Sequence, residues 1–290
     1  MFWRIISIVF PIAAIVLVGF VYGRRQRPDM QAANTLNITV FLPALFFSAL
    51  AGKSFELADN VDIALGCAAV VLLSGALTWA VARLAGIDAK TLVPPSMFNN
   101  VGNMGLPLML LTFGDQALGA AVVLMLVVTV LQFSVGIWLL SGRFHAAMLW
   151  REPLLLAALA GLAVSLSGVT IWPPLMVAVK LLGDISIGLM IFSLGVRLSG
   201  ARLGAWRIGV LGACVTPLTG MLVAWLCTAV VPMPAQHAAM LCIFGALPPA
   251  VSSFIMAERY RQEPDKVASI VIIGNALALL FIPLALALQL

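Results

Sequence analysis

Residues 99–107 read NNVGNMGLP, and they lie inside an apolar stretch of roughly 91–113 that is long enough to cross a membrane. A spanning helix gains nothing from three asparagines, two glycines and a proline in nine residues. Pro removes a backbone donor, Gly loosens the chain, and Asn carries amide groups that hydrocarbon cannot satisfy. Irregular backbone at membrane depth is tolerated only where protein or a water-filled cavity satisfies it. The stretch is therefore expected to be the unwound centre of a broken helix.

The surroundings bear out the membrane setting. Of 290 residues, 63% are hydrophobic and 9% are charged, whereas a soluble domain carries about 25% charged residues. Apolar runs place ten helices at roughly 3–22, 31–51, 61–85, 91–113, 116–140, 153–169, 174–196, 206–231, 235–257 and 267–288. The first run has no small-residue cleavage site and reads as a real span. The four cysteines, Cys67, Cys214, Cys227 and Cys242, lie in apolar runs without ligand spacing, so they read as buried thiols. No metal or cofactor is expected.

The net charge of +5 reflects topology and does not call for a nucleic-acid partner. Arg24, Arg25, Arg27, Arg83, Lys90, Arg143, Arg151, Arg197, Arg202, Arg207, Arg259, Arg261 and Lys266 all fall in or beside odd-numbered connectors. Arg4 and Lys53 fall on the other side, and Lys180 lies inside helix 7. The positive-inside rule then puts the odd connectors in the cytoplasm and both termini outside, in the periplasm of a bacterial inner membrane.

Ten helices divide into two five-helix halves, 1–145 and 146–290, and an odd number per half inverts one against the other. Helix 4 carries NNVGNMGLP, and helix 9 carries GALPPAVSSF at residues 245–254. Matched interrupted helices in two inverted halves are the sequence pointer to a transporter binding site. In helix 4, Gly102 and Gly105 permit unusual backbone angles, Pro107 withholds an N–H, and Asn99, Asn100 and Asn103 supply amides. In helix 9, Pro248 and Pro249 make a double break, and Ser252 and Ser253 follow in the first turn of the second half-helix. Half-helix ends meeting there form a neutral polar cradle suited to a carboxylate, and Asn100 is expected to offer its amide to it. The same polar groups could instead only knit helices together.

These residues resemble the auxin efflux carrier family, which includes plant auxin exporters and bacterial organic-acid carriers of the malonate type. The matching features are Asn100, MGLP through Pro107 and Gly114 in helix 4, and ALPPAVSSFIMAERYRQEPD in helix 9, with Pro248, Phe254, Ala257, Tyr260, Pro264 and Asp265. VIIGNALAL in helix 10 and LPALFF from Leu42 in helix 2 extend the resemblance across the chain. It implies two inverted repeats, a scaffold of helices 1, 2, 6 and 7 that often mediates homodimerisation, and a transport domain of helices 3–5 and 8–10. It also implies carriage of small organic anions, such as dicarboxylates or indole acids, through the lipid bilayer. The long cytoplasmic loop of the plant exporters is absent, and the crossover holds no Lys, Arg, Asp or Glu.

Other readings remain open. A cation/proton antiporter shares this architecture but normally carries carboxylates at the crossing. A non-transporting membrane sensor would leave the same pattern. An enzyme is not expected: His145 and His237 sit in no catalytic motif, and His237 reads as an interfacial residue. Asp184, near the middle of helix 7, is the coupling candidate. Lys180 is placed to pair with it one turn earlier, with helix 2 near Asn37 packed alongside. Gly188 and Gly195 of helix 7 are expected to allow close packing at a sliding face.

Overall fold

The computed structural model describes residues 2–52, 55–143, 150–200 and 204–289. Lys53, His145 and Arg202 lie outside the described residues. The chain is helical throughout the described residues: α1 Phe2–Gln26, α2 Gln31–Leu50, α3 Ala58–Ala85, α4a Ala89–Met97, α4b Val101–Phe113, α5 Asp115–Ser141, α6 Pro153–Ser167, α7 Pro173–Ser199, α8 Trp206–Val230, α9a Ala235–Gly245, α9b Val251–Arg259 and α10 Pro264–Gln289. Seven of these, α1, α2, α3, α5, α7, α8 and α10, are long and apolar enough to cross a membrane alone. The expected spans 4 and 9 are each divided into two short helices, and α6 is a 15-residue helix.

Local chemistry sets the boundaries. Proline occupies the first turn of α6 and α7, where a missing N–H costs nothing. Gly86, Gly142 and Gly168 close helices in the left-handed conformation, with φ of 65°, 70° and 66°. Asp88 caps α4a by accepting from the Lys90 N–H at 2.9 Å. Pro43 and Pro107 each follow a five-residue π-turn, Asn37–Phe41 and Val101–Gly105. A proline ring crowds the carbonyl four residues back and offers no donor to it, so a widened turn before it relieves both problems.

Glycines bring helices together backbone to backbone. A Cβ on Gly195 would lie 2.1 Å from the Val16 carbonyl oxygen, and one on Gly19 would lie 2.3 Å from that of Phe192. These contacts fuse α1 to α7, which run in parallel. Gly183 of α7 packs on Leu45 of α2, and Gly161 of α6 on Leu50, so α1, α2, α6 and α7 form one packed group. In the other helices, Gly209 and Gly212 of α8 rest on Ser269 and Ile270 of α10, and Gly220 of α8 rests on Gly245 of α9a. Of the two glycines of α7 expected to allow close packing, Gly195 does so, against α1, whereas Gly188 meets nothing within 4 Å.

The connectors sort to two ends of the molecule. Thr91 donates to Glu263 at 2.6 Å, Gln262 to Asp88 at 2.8 Å, and Lys90 to the Leu140 carbonyl at 3.4 Å. The start of α4a, the end of α5 and the α9b–α10 connector therefore share one end, which we call the basic end. At the opposite end His237 of α9a bonds both carboxylate oxygens of Asp62 of α3 at 3.0 Å, and Ser165 of α6 bonds the Phe55 carbonyl. The His237 ring thereby ties α9a to α3 through the Asp62 carboxylate.

The hydrogen bonds from Lys266 and Thr91 hold the Glu263 carboxyl below the usual carboxylate range. A depressed acid stabilises the fold above its unfolded pKa, and that contribution is lost as pH falls through the folded value. The thermal midpoint of the detergent-solubilised protein is therefore expected to drop on acidification below the usual carboxylate range. Glu263→Gln should lower the midpoint at neutral pH and flatten part of that drop. An unchanged pH profile in the variant would show that Glu263 does not staple this end.

Candidate functional site

Helices α4 and α9 are both broken, and the two breaks meet; their meeting point is termed the crossing. The α4 break spans Phe98–Asn100, with Phe98 extended (φ −103°, ψ 97°) and Asn100 at φ −74°, ψ 56°. The α9 break runs from Ala246 to Ala250, which is extended at φ −68°, ψ 142°. The two breaks pair as an antiparallel backbone bridge centred on Asn99 and Pro249. The Asn100 N–H donates to the Pro248 carbonyl at 2.7 Å, and the Ala250 N–H donates to the Phe98 carbonyl at 2.8 Å. Main-chain groups freed by the two breaks thus satisfy each other, which is the requirement for irregular backbone at membrane depth.

The α4 break lies earlier than the glycines and proline suggested. Gly105 is right-handed helical (φ −65°, ψ −49°), and Gly102 is not in a positive-φ conformation. Their role is space: a Cβ on Gly105 would lie 2.6 Å from Leu247 Cδ1, and one on Gly102 would lie 3.0 Å from Met125 Cε. Pro107 sits in the first turn of the α-helix after the π-turn.

Side chains finish the cradle. Asn99 Nδ2 donates to the Phe244 carbonyl at 2.8 Å, which also accepts from the Leu247 N–H at 3.1 Å, so the amide fastens the α4 break to the end of α9a. Asn100 Nδ2 donates to Asn275 Oδ1 at 2.8 Å. Asn275 Nδ2 in turn donates to the Pro249 carbonyl at 3.1 Å and to that of Val271 at 2.8 Å. Gln132 of α5 donates to Ser252 Oγ at 2.8 Å. Asn99 Oδ1 and Ser253 Oγ are buried without a partner among the described residues, and Asn103 is only partly buried. One of the two N–H groups of the Asn100 amide, the amide expected to be offered to a substrate, is thus engaged by Asn275.

Asn275 and Gln132 are site residues that the motif reading passed over. The signal was present, since each is an amide set well inside an apolar membrane helix, where a polar group is costly unless used.

The crossing is neutral in formal charge, and it gathers both kinds of helix end: α4a and α9a finish there with negative dipole ends, and two helices start there with positive ones. Helices α4b and α9b both begin there, at Val101 and Val251, and a helix start leaves its first N–H groups without intrahelical acceptors. A cavity of about 970 Å³ reaches Val251 and Asn275, between α7 and the α9b–α10 pair. A second cavity of about 470 Å³ lies at the opposite end, lined by Asp59, Asp115, Lys180, Asp184 and His237 but by no residue of the crossing.

The coupling candidates do not assemble as expected. Lys180 and Asp184 are both exposed in that second cavity, and among the described residues no ion pair joins them. Their i,i+4 spacing permits pairing, but both side chains stay solvated. Asn37 is buried with Oδ1 unpartnered, and it is not beside Asp184. Leu45, the residue of α2 that packs on Gly183, is eight positions further along, about 12 Å at 1.5 Å per residue.

A helical chain with many apolar spans, and with two broken helices paired at its centre, defines a multi-pass membrane transport protein. The family model described as membrane transport protein matches residues 4–148 and 137–286, and the chain belongs to this family, that of the auxin efflux carriers. A search of curated proteins finds no significant match.

Proposed function

We propose that this protein is a secondary carrier of small organic anions that works by alternating access at the α4–α9 crossing. The observation that carries the reading is the pair of helix starts, α4b and α9b, held at a formally neutral, amide-lined crossing by the Asn99–Pro249 bridge. The N–H groups of the two helix starts and the surrounding amides can receive a carboxylate without a buried cation. The cation/proton antiporter reading lacks the acid it needs at that point.

The wider architecture follows the same logic. Residues 1–145 and 146–290 form two inverted five-helix repeats, with Asn99 matched to Pro249 at an offset of 150 residues. The glycine-fused group α1, α2, α6 and α7 is the frame, and α3–α5 with α8–α10 is the moving body. The large cavity reaches the crossing from the basic end while the opposite cavity does not, so the conformation is open to the basic end, which faces the cytoplasm.

The test is saturable uptake of radiolabelled mono- and dicarboxylates by the purified protein in proteoliposomes. Accumulation of at least one organic anion above empty liposomes, with counterflow, is expected. Absence of any anion flux, together with sodium or proton exchange, would replace this reading with the antiporter.

A further inference from the structure

The cavity that opens at the basic end has a charge arrangement that the crossing lacks. Its walls are mainly apolar, with Leu194 and Leu198 from α7, Val251 and Phe254 from α9b, and Val271 and Ile272 from α10. Asn275 lies at its inner end. Among the described residues that line it there is one cation, Arg197, and one acid, Asp265. Arg197 is exposed to the cavity and forms no ion pair with Asp265 or with any other described residue. Asp265 sits in the first turn of α10, where the helix dipole stabilises a negative charge without a counter-ion.

Position gives Arg197 its role. Asp265 and Asn275 are ten residues apart on α10, so the cavity runs about 15 Å along that helix. Arg197 is one turn beyond Leu194 towards the basic end of α7, and Leu194 also lines the apolar groove that touches Asn275. An anion moving inward from the mouth therefore meets a guanidinium before it meets amides. Apolar walls lower the local dielectric and strengthen that attraction. The guanidinium fork matches a carboxylate bidentately, which the neutral crossing cannot do.

On the carrier reading, we propose that Arg197 is the residue that captures the carboxylate of the substrate at the basic-end cavity and sets its preference for anions. It acts from α7, in the frame, whereas Asn275 and the α9b start belong to the moving body. The anion then passes from a fixed charge to a mobile cradle, and Asp265 opposes the field of Arg197 at the mouth.

The experiment uses oriented proteoliposomes and an organic acid that the wild type transports. The half-saturation concentration is measured separately for substrate presented at each end. Arg197→Gln is expected to raise it about tenfold or more at the basic end. The value at the opposite end should stay near wild type. Arg197→Lys should recover most of the difference, and Asp265→Asn should lower the value by removing the opposing charge. Raising ionic strength should slow basic-end uptake by the wild type and leave Arg197→Gln nearly indifferent. Unchanged basic-end saturation and salt dependence in Arg197→Gln would overturn the assignment while leaving the carrier reading intact. If that variant does not fold, an unchanged value in Asp265→Asn overturns it. A wild type that moves no organic anion from either end removes both proposals.

Discussion

Replacing Asn275 with Leu is expected to reduce transport at least a hundredfold and to lower the melting temperature of the protein. The side chain is 3% exposed and makes three hydrogen bonds, accepting from Asn100 and donating to the carbonyls of Pro249 and Val271. Leu keeps the number and branching of the side-chain heavy atoms and is somewhat bulkier, so no cavity is left and the main effect is one of polarity. The substitution orphans the Asn100 amide and the Pro249 carbonyl, and each buried orphan costs about 1–3 kcal/mol. The Val271 carbonyl keeps its helical partner. Both orphans lie on the bridge between the two breaks, so the crossing shifts before the rest of the fold does. A double-mutant cycle gives the sharper measure: Asn100→Leu with Asn275→Leu should cost clearly less than the sum of the singles, because the first change already breaks the shared bond. Strict additivity, or normal uptake by Asn275→Leu, would show that the amide pair is not what holds the cradle.

Gly245→Ala is expected to prevent accumulation of folded protein, or to lower its melting temperature by many degrees. The added Cβ would stand 2.4 Å from the Gly220 carbonyl oxygen, 2.6 Å from its carbonyl carbon and 2.9 Å from the Met221 nitrogen. All three are backbone atoms of α8, so no rotamer change relieves the clash, and the helices must move apart. Overpacking of this kind costs about 1–3 kcal/mol and sometimes more. The gain in helix propensity, about 1 kcal/mol, offsets only part of it. Gly245 is the last residue of α9a, so the displacement is transmitted directly into the break. Gly188→Ala is the control: its Cβ would meet nothing within 4 Å, so only the propensity gain remains, and the variant should be neutral or slightly stabilised. Equal melting temperatures for both variants would mean that the α8–α9a contact is not close in the membrane.

Much of this was legible in the sequence, and the reasons differ by feature. Span positions follow from apolar run length, so the helices fall close to their expected bounds. The existence of two breaks was legible from composition, but the exact site in α4 was not. The steric demand of Pro107 acts on the turn before it and is absorbed as a π-turn, and the chain leaves the helix earlier, at Phe98–Asn100. Partnerships were hidden. Nothing local says that Asn100 is spoken for, because its partner Asn275 lies 175 residues away in sequence. The Lys180–Asp184 pair failed for a related reason: helical spacing allows such a contact, but a cavity that solvates both side chains removes the incentive to form it.

The bridge between Asn99 and Pro249 is made of main-chain groups alone. The two bonds that join the breaks therefore persist under any substitution that leaves the local backbone path intact, except a proline that deletes the Asn100 or Ala250 donor. Side chains around the crossing, such as Asn103, Ser252 and Ser253, can then vary without unfastening the joint. In a membrane transport protein jointed this way, the lining of the joint can change by ordinary point mutation while the backbone fastening is inherited unaltered.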